Sequence, residues 1–261
     1  MSKLSKAVLP FLFGVIVLIA WELGTRAAEI PEYVLPGPIA IFNALTTNFA
    51  DLAQGLAVTL QVTIVALVLA ALTGAGIAFV LSQSKLAEQM LFPYAVILQV
   101  TPIVTVAPFV IIWVSNIFVV LLILAWMAAV FPIISNTLFG LKSVDPNLRD
   151  MFRLYGATRT QIAWRLLLPA TLPHFLSGLR IAGGLALIGT VVAEMVAGTS
   201  GERSGLASRL LEASYRLELA KALACFVLLS ITGLVLYAVL DWLSGRLLRH
   251  WHDSALETEH G

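Results

Sequence analysis

Residues 89–141 read QMLFPYAVILQVTPIVTVAPFVIIWVSNIFVVLLILAWMAAVFPIISNTLFGL and contain no Asp, Glu, Lys, Arg or His. One bilayer crossing takes about 20 apolar residues, so this stretch is too long for one helix and long enough for two. Val114-Ser115-Asn116 is its one plausible break, which predicts helices at 91–113 and 117–140. Further runs of the same kind lie at 8–25, 57–81, 175–197 and 222–244, making six. The whole chain of 261 residues is 59% apolar and 12% charged, with mean hydropathy +0.94. A water-soluble domain carries about 25% charged residues, so this chain has too few to cover a surface facing water. The sequence therefore predicts an all-α, polytopic membrane protein. Its net charge of +1 gives no field for nucleic acid. The lone Cys225 sits in an apolar run and reads as a small buried hydrophobe.

Orientation follows from where Lys and Arg fall, because positive loops stay in the cytoplasm. Lys3 and Lys6 precede the first run, Lys85 lies in the second loop, and Arg246 and Arg249 follow the last run. The loop 141–174 carries Lys142, Arg149, Arg153, Arg159 and Arg165. With six transmembrane helices these segments share one side, which makes both termini cytoplasmic. The segment 28–55 has Glu29, Glu32 and Asp51 and no cation, as an outer segment should. One loop breaks the pattern: 198–221 holds Arg203, Arg209, Arg216 and Lys221, offset by Glu202, Glu212 and Glu218. A second reading of the N-terminus is a signal peptide cut near Ala27-Ala28, but Thr25-Arg26-Ala27 is a poor cleavage motif and Trp21 suits an interfacial anchor.

The loop 141–174 is structured by its own residues. Asp145-Pro146 is an N-cap followed by proline at the first helical position, and Gly156 suits a left-handed C-terminal cap. Thr158 and Gln161 then have capping-box spacing, so a second short helix should start there and end before Pro169. Two capped helices around a glycine make a compact projection. Its apolar residues, Met151, Phe152, Leu154, Ile162, Leu166 and Leu167, suit either lipid headgroups or a partner's groove.

This loop resembles the "EAA loop" of the permease subunits of binding-protein-dependent ABC importers. That pattern is Glu-Ala-Ala, three residues, Gly, nine residues, Ile-x-Leu-Pro. The matching positions here are Asp150-Met151-Phe152, Gly156, Leu166, Leu168 and Pro169, with the acid kept as Asp and both alanines replaced. Val34-Leu35-Pro36-Gly37-Pro38, Thr101-Pro102 through Trp113, Phe131 to Thr137, Gly178-Leu179-Arg180 and Ala193-Glu194-Met195 are similar to the sulfonate, taurine and nitrate branch. Where many relatives of that branch run into Gly-Leu-Gly, this chain has Gly201-Glu202-Arg203-Ser204-Gly205-Leu206-Ala207.

The resemblance implies an ABC type-1 transmembrane domain at 55–245, with a coupling loop at 145–169. An N-terminal helix and outer segment at 1–54 would precede it, and a cytoplasmic tail at 246–261 would follow. It implies coupling to the ATPase through Asp150, Gly156, Ala157, Leu166, Leu168 and Pro169. It also implies ABC ATPase subunits that bind the ATP, an extracytoplasmic substrate-binding protein and a homodimer of this chain. The expected setting is the lipid of a bacterial plasma (inner) membrane, and the cargo a small nutrient such as a sulfonate, taurine, nitrate or a vitamin precursor.

Absent motifs agree with a non-enzymatic role. The chain has no G-x-x-x-x-G-K-[ST], H-E-x-x-H, C-x-x-C or G-x-S-x-G, so no catalytic residue, metal or cofactor is expected. His250-Trp251-His252 offers two ligands at most and reads as an interfacial tail. Within the apolar runs, Arg180 can snorkel to the interface. Glu194 lies fourteen residues further on, about 21 Å along a helix. It can serve the substrate pathway, pair with a neighbouring helix or reach outside water. Ala182–Ala186 and Gly189–Ala193 are small-x-x-x-small pairs that allow close helix packing. The alternative is a self-contained secondary transporter or channel, which would favour an inverted repeat and paired intramembrane charges. No matching halves are visible. A third reading, a membrane scaffold without transport activity, would not need the capped loop.

Overall fold

A computed structural model describes residues 3–198 and 204–249, and the helices within them follow the apolar runs. In chain order they are α1 (Lys3–Ala27), α2 (Pro38–Thr47), α3 (Phe49–Ser82), α4 (Lys85–Val100), α5 (Ile103–Trp113) and α6 (Ile117–Lys142). The rest are α7 (Pro146–Leu154), α8 (Arg159–Ile162), α9 (Leu168–Ala197), α10 (Leu206–Tyr215) and α11 (Leu219–Leu248). There is no strand among the described residues. Lipid offers no hydrogen bonds, so a spanning backbone must satisfy itself, and helices do so within one segment. Among the described residues, four helical stretches are long and apolar enough to cross, and a bent pair brings the number to five. Residues 199–203 and 250–261, including Glu202, Arg203 and His250-Trp251-His252, lie outside the described residues.

The expected third span, 91–113, is not one helix. It is α4 and α5, bent by 98° at Thr101-Pro102. The ring of Pro102 forces Thr101 into an extended conformation (φ −71°, ψ 120°), and Pro102 is itself extended (ψ 121°). Two extended residues in succession break the helical ladder where a proline alone would kink it. Asn116 behaves as its position in the break suggests: its Oδ1 accepts the N–H of Phe118 at 3.0 Å and caps α6.

The chain divides into two compact units. The larger unit contains 59–197 and the end of α11 from 232. Its centre is α6 against α9, where glycine lets the two backbones approach. A Cβ on Gly189 would lie 2.9 Å from the Ala128 methyl and 3.0 Å from the Ala125 Cα. Ala182, Ala186 and Ala193 are buried on the same helix, as the small-residue spacing predicts. Around this seam, α3 contributes Val62, Ala66, Leu67 and Ala70 to two apolar clusters. Arg180 of α9 is paired with Asp241 at 3.0 Å, so its head has a specific partner as well as a route to water.

The smaller unit contains 1–58 and 198–231. Here α1 holds α2 through Glu22, whose Oε2 accepts the Ile39 N–H at 3.1 Å while Oε1 accepts from Arg26 at 2.6 Å. Three of the four cations that broke the loop-charge pattern, Arg209, Arg216 and Lys221, are paired in this unit. Asp51 accepts from buried Arg209 and, at 3.0 Å, from Lys221. Arg216 pairs with Glu212 at 2.7 Å one turn earlier.

Candidate functional site

The loop after α6 forms as its local signals dictate. Asp145 Oδ1 accepts the Asn147 N–H at 2.8 Å and starts α7. At the other end Gly156 takes φ +74°. Its N–H donates to the Arg153 carbonyl at 2.9 Å, and the Ala157 N–H donates to the Phe152 carbonyl at 3.0 Å. These two bonds, with Ala157 packed beside Phe152, make a Schellman turn. The reciprocal capping box follows: Thr158 N–H to Gln161 Oε1 at 2.8 Å, and Gln161 N–H to Thr158 Oγ1 at 3.3 Å.

Beyond the cap the structure departs from expectation. The second short helix does not end before Pro169. It passes through a π-helical segment, Ala163–Leu167, straight into α9, so Arg159–Ala197 is one helix of 39 residues. Proline has no N–H and its ring crowds the preceding turn. The wider π turn, closed by the Leu168 N–H on the Ala163 carbonyl, loosens the ladder just ahead of Pro169. The second half of the loop thus runs without a break into the long apolar helix α9.

Leu166 is also not an outward knob. It is 8% exposed and forms a small core with Val144 and Ile162, flanked by Phe152 and Ala157. Phe152, one of the two residues that replace an alanine of the pattern, fills space in this core. Leu168 is half exposed, and Asp150 is exposed and paired with Arg153 at 3.2 Å. The apolar residues that face outward most are Leu154 at 87%, Tyr155 at 86% and Trp164 at 70%, with Met151 and Leu148 exposed to a lesser degree. Tyr155 and Trp164 escaped the sequence reading, because nothing local distinguishes an outward aromatic residue from an inward one on so short a helix.

Glu194 is fully buried in the larger unit. Both its oxygens accept from Thr59 Oγ1 of α3, at 2.8 and 3.2 Å, and one turn away Thr63 Oγ1 donates to Thr190 Oγ1 at 3.1 Å. Of the three sequence readings, this geometry matches pairing with a neighbouring helix. Interhelical hydrogen bonds in membranes average about 0.6 kcal/mol and reach about 1.7 kcal/mol. A double-mutant cycle of Thr59→Val and Glu194→Gln is expected to give a coupling energy of about 1 kcal/mol in detergent unfolding. Additive effects would mean that the two side chains act separately.

A family model described as "Binding-protein-dependent transport system inner membrane component" matches residues 66–251. The chain belongs to this family. The permease is 30% identical to a protein of Haemophilus influenzae named "Probable ABC transporter permease protein", over 92% of this chain and 96% of the relative. It is 31% identical to the formylaminopyrimidine transport permease protein ThiX of Halalkalibacterium halodurans, over 77% and 80%. It is 29% identical to the taurine transport system permease protein TauC of Escherichia coli, over 72% and 70%. A solved structure, that of an amino acid ABC transporter with histidines, superposes with a TM-score of 0.65 at 17% identity, covering 78% of this chain and 98% of that one. That likeness concerns the fold.

The permease is accordingly the membrane-spanning subunit of an ABC transporter. It is a multi-pass protein of the plasma membrane, and its family is not enzymatic. Its family implies separate ATPase subunits and a substrate-binding protein as partners. Nothing supports the secondary-transporter alternative.

Proposed function

We propose that the permease imports a small nutrient delivered by its binding protein, and that residues 150–169 transmit ATPase motion to the pathway. The observation that carries this reading is the continuity of Arg159–Ala197, which joins the capped loop to α9 without a flexible link. Closure of the ATPases would displace the loop as a rigid piece. The displacement would pass along α9, packed on α6, and switch the spans between inward-open and outward-open states. Gly156 and Ala157 form the turn that sets α7 against α8, and Leu166 supports it from within. Leu154, Tyr155 and Trp164 provide the face presented to the ATPase, in the helix-in-groove mode. Asp150, Leu168 and Pro169 belong to the same lever, whereas Glu194 holds α3 to α9 and acts on the pathway only indirectly.

The reading extends to six transmembrane helices with cytoplasmic termini, a domain at 55–245 flanked by 1–54 and 246–261, and a homodimer surrounded by lipid. The Lys/Arg distribution supports the topology. Relatives named for formylaminopyrimidine and taurine support a small polar cargo. Reporter fusions after Asn48 and Gly201 should report the outside, and fusions after Lys85, Val144 and Trp251 the cytoplasm. An outside signal at Val144 would overturn the map. Leu154→Asp and Trp164→Asp should each reduce co-purified ATPase about tenfold or more, by placing an unpaired charge in a closed interface. Membrane insertion should be unchanged. Wild-type ATPase recovery and uptake in both variants would remove the loop from the coupling route.

A further inference from the structure

Between the ends of α3 and α6 and the capped loop lies a cavity of about 500 Å³. Its polar lining is Ser82, Gln83, Lys142, Arg149, Arg153 and Arg159, and no carboxylate lines it. Two of the four cations are neutralised by residues outside the cavity: Lys142 by Glu88, and Arg153 by Asp150. Arg149 and Arg159 form no ion pair among the described residues. Arg149 donates from Nη2 to the Leu141 carbonyl at 3.1 Å, and its Nε–H is buried without a hydrogen-bond partner. A buried guanidinium donor without an acceptor is costly, and the residue that carries it lines a space large enough for an acceptor to enter. The remaining wall is apolar, made by Leu141, Ile162 and Leu167.

We propose that this crater binds the phosphate headgroup of an anionic phospholipid of the cytoplasmic leaflet. Guanidinium groups suit the doubly acceptor face of a phosphodiester, and the apolar wall suits the start of an acyl chain. Basic pockets at the cytoplasmic ends of membrane helices are placed at headgroup depth, where anionic lipid is concentrated. The outward apolar residues of the loop, Leu154, Tyr155 and Trp164, do not line the crater, so its ligand and the ATPase can bind together. The proposal rests on the cytoplasmic placement of the loop, which the Val144 fusion tests separately.

The test is native mass spectrometry of the full-length permease, alone and assembled with its ATPase, given phosphatidylglycerol or phosphatidylcholine. Wild type should retain phosphatidylglycerol preferentially in both forms, and inorganic phosphate at millimolar concentration should not displace it. Arg159→Gln, at an exposed residue with no ion-pair partner, should reduce that preference about fivefold, and Arg149→Gln with it should reduce it further. Arg216→Gln, an arginine in the other unit, should leave it intact. Equal retention of the two lipids, or an Arg159→Gln variant that binds like wild type, would overturn the proposal. So would displacement by free phosphate, which would assign the site to a soluble anion. Loss of the lipid on assembly would also overturn it, by assigning the crater to an acidic side chain of the ATPase.

Discussion

Gly156→Val is expected to abolish transport while the protein still inserts and its spans stay folded. The glycine sits at φ +74°, and a Cβ placed there would have no heavy atom within 4 Å. Space is therefore not the obstacle. The cost is conformational: a β-branched residue in the left-handed region is strained by about 1–3 kcal/mol. The turn can relieve that strain by giving up both Schellman hydrogen bonds. Losing them would release α7 from α8 and uncouple the exposed Leu154 and Tyr155 from the Arg159–Ala197 lever. Uptake in proteoliposomes should fall at least about tenfold, the rate equivalent of about 1.4 kcal/mol. Asparagine tolerates the left-handed region, so Gly156→Asn should retain most activity. Equal loss in both variants would show that the turn's conformation is not what matters.

Gly178→Val is expected to be the most destabilising single change in the membrane-embedded helices. A Cβ at this position would lie 2.8 Å from the Pro132 carbonyl oxygen and 2.9 Å from the Asn136 Cβ. The first of these is backbone of α6 and cannot rotate away. Overpacking of this kind costs about 1–3 kcal/mol, and an immovable neighbour puts this case at the upper end. Gly184→Val is the matched control, because a Cβ there meets nothing within 4 Å. Thermal unfolding in detergent should separate the two variants clearly, with Gly184→Val close to wild type. Similar melting of both would mean that the α6–α9 seam adapts more readily than its geometry indicates.

The capped loop was legible because caps are local. Asp145 and Asn147, Gly156 and Arg153, and Thr158 and Gln161 are each separated by three residues or fewer, so residue type and spacing almost specify the bond. The break at Thr101-Pro102 had a local signal too. Pro102 restricts the residue before it, but whether the chain then kinks or turns through 98° depends on what packs beyond the proline. The π segment before Pro169 gave no sign in the sequence.

Composition by itself determined that this chain belongs in a bilayer, since 12% charged residues cannot cover a folded surface in water. The run without charges, the Lys/Arg distribution and the capping residues then pointed to the membrane helices, an expected orientation and the capped loop. Only the tertiary structure decided which polar groups meet. Thr59 and Glu194 are 135 residues apart, and Asp51 and Arg209 are 158 apart. No local periodicity relates such pairs. They meet because buried polar groups need partners and because the packing of whole helices decides which partners come within reach. The same holds for Leu166. Its sequence position suited an outward knob, yet it lies in the loop's own small core, where Val144, Ile162 and Phe152 keep it from water.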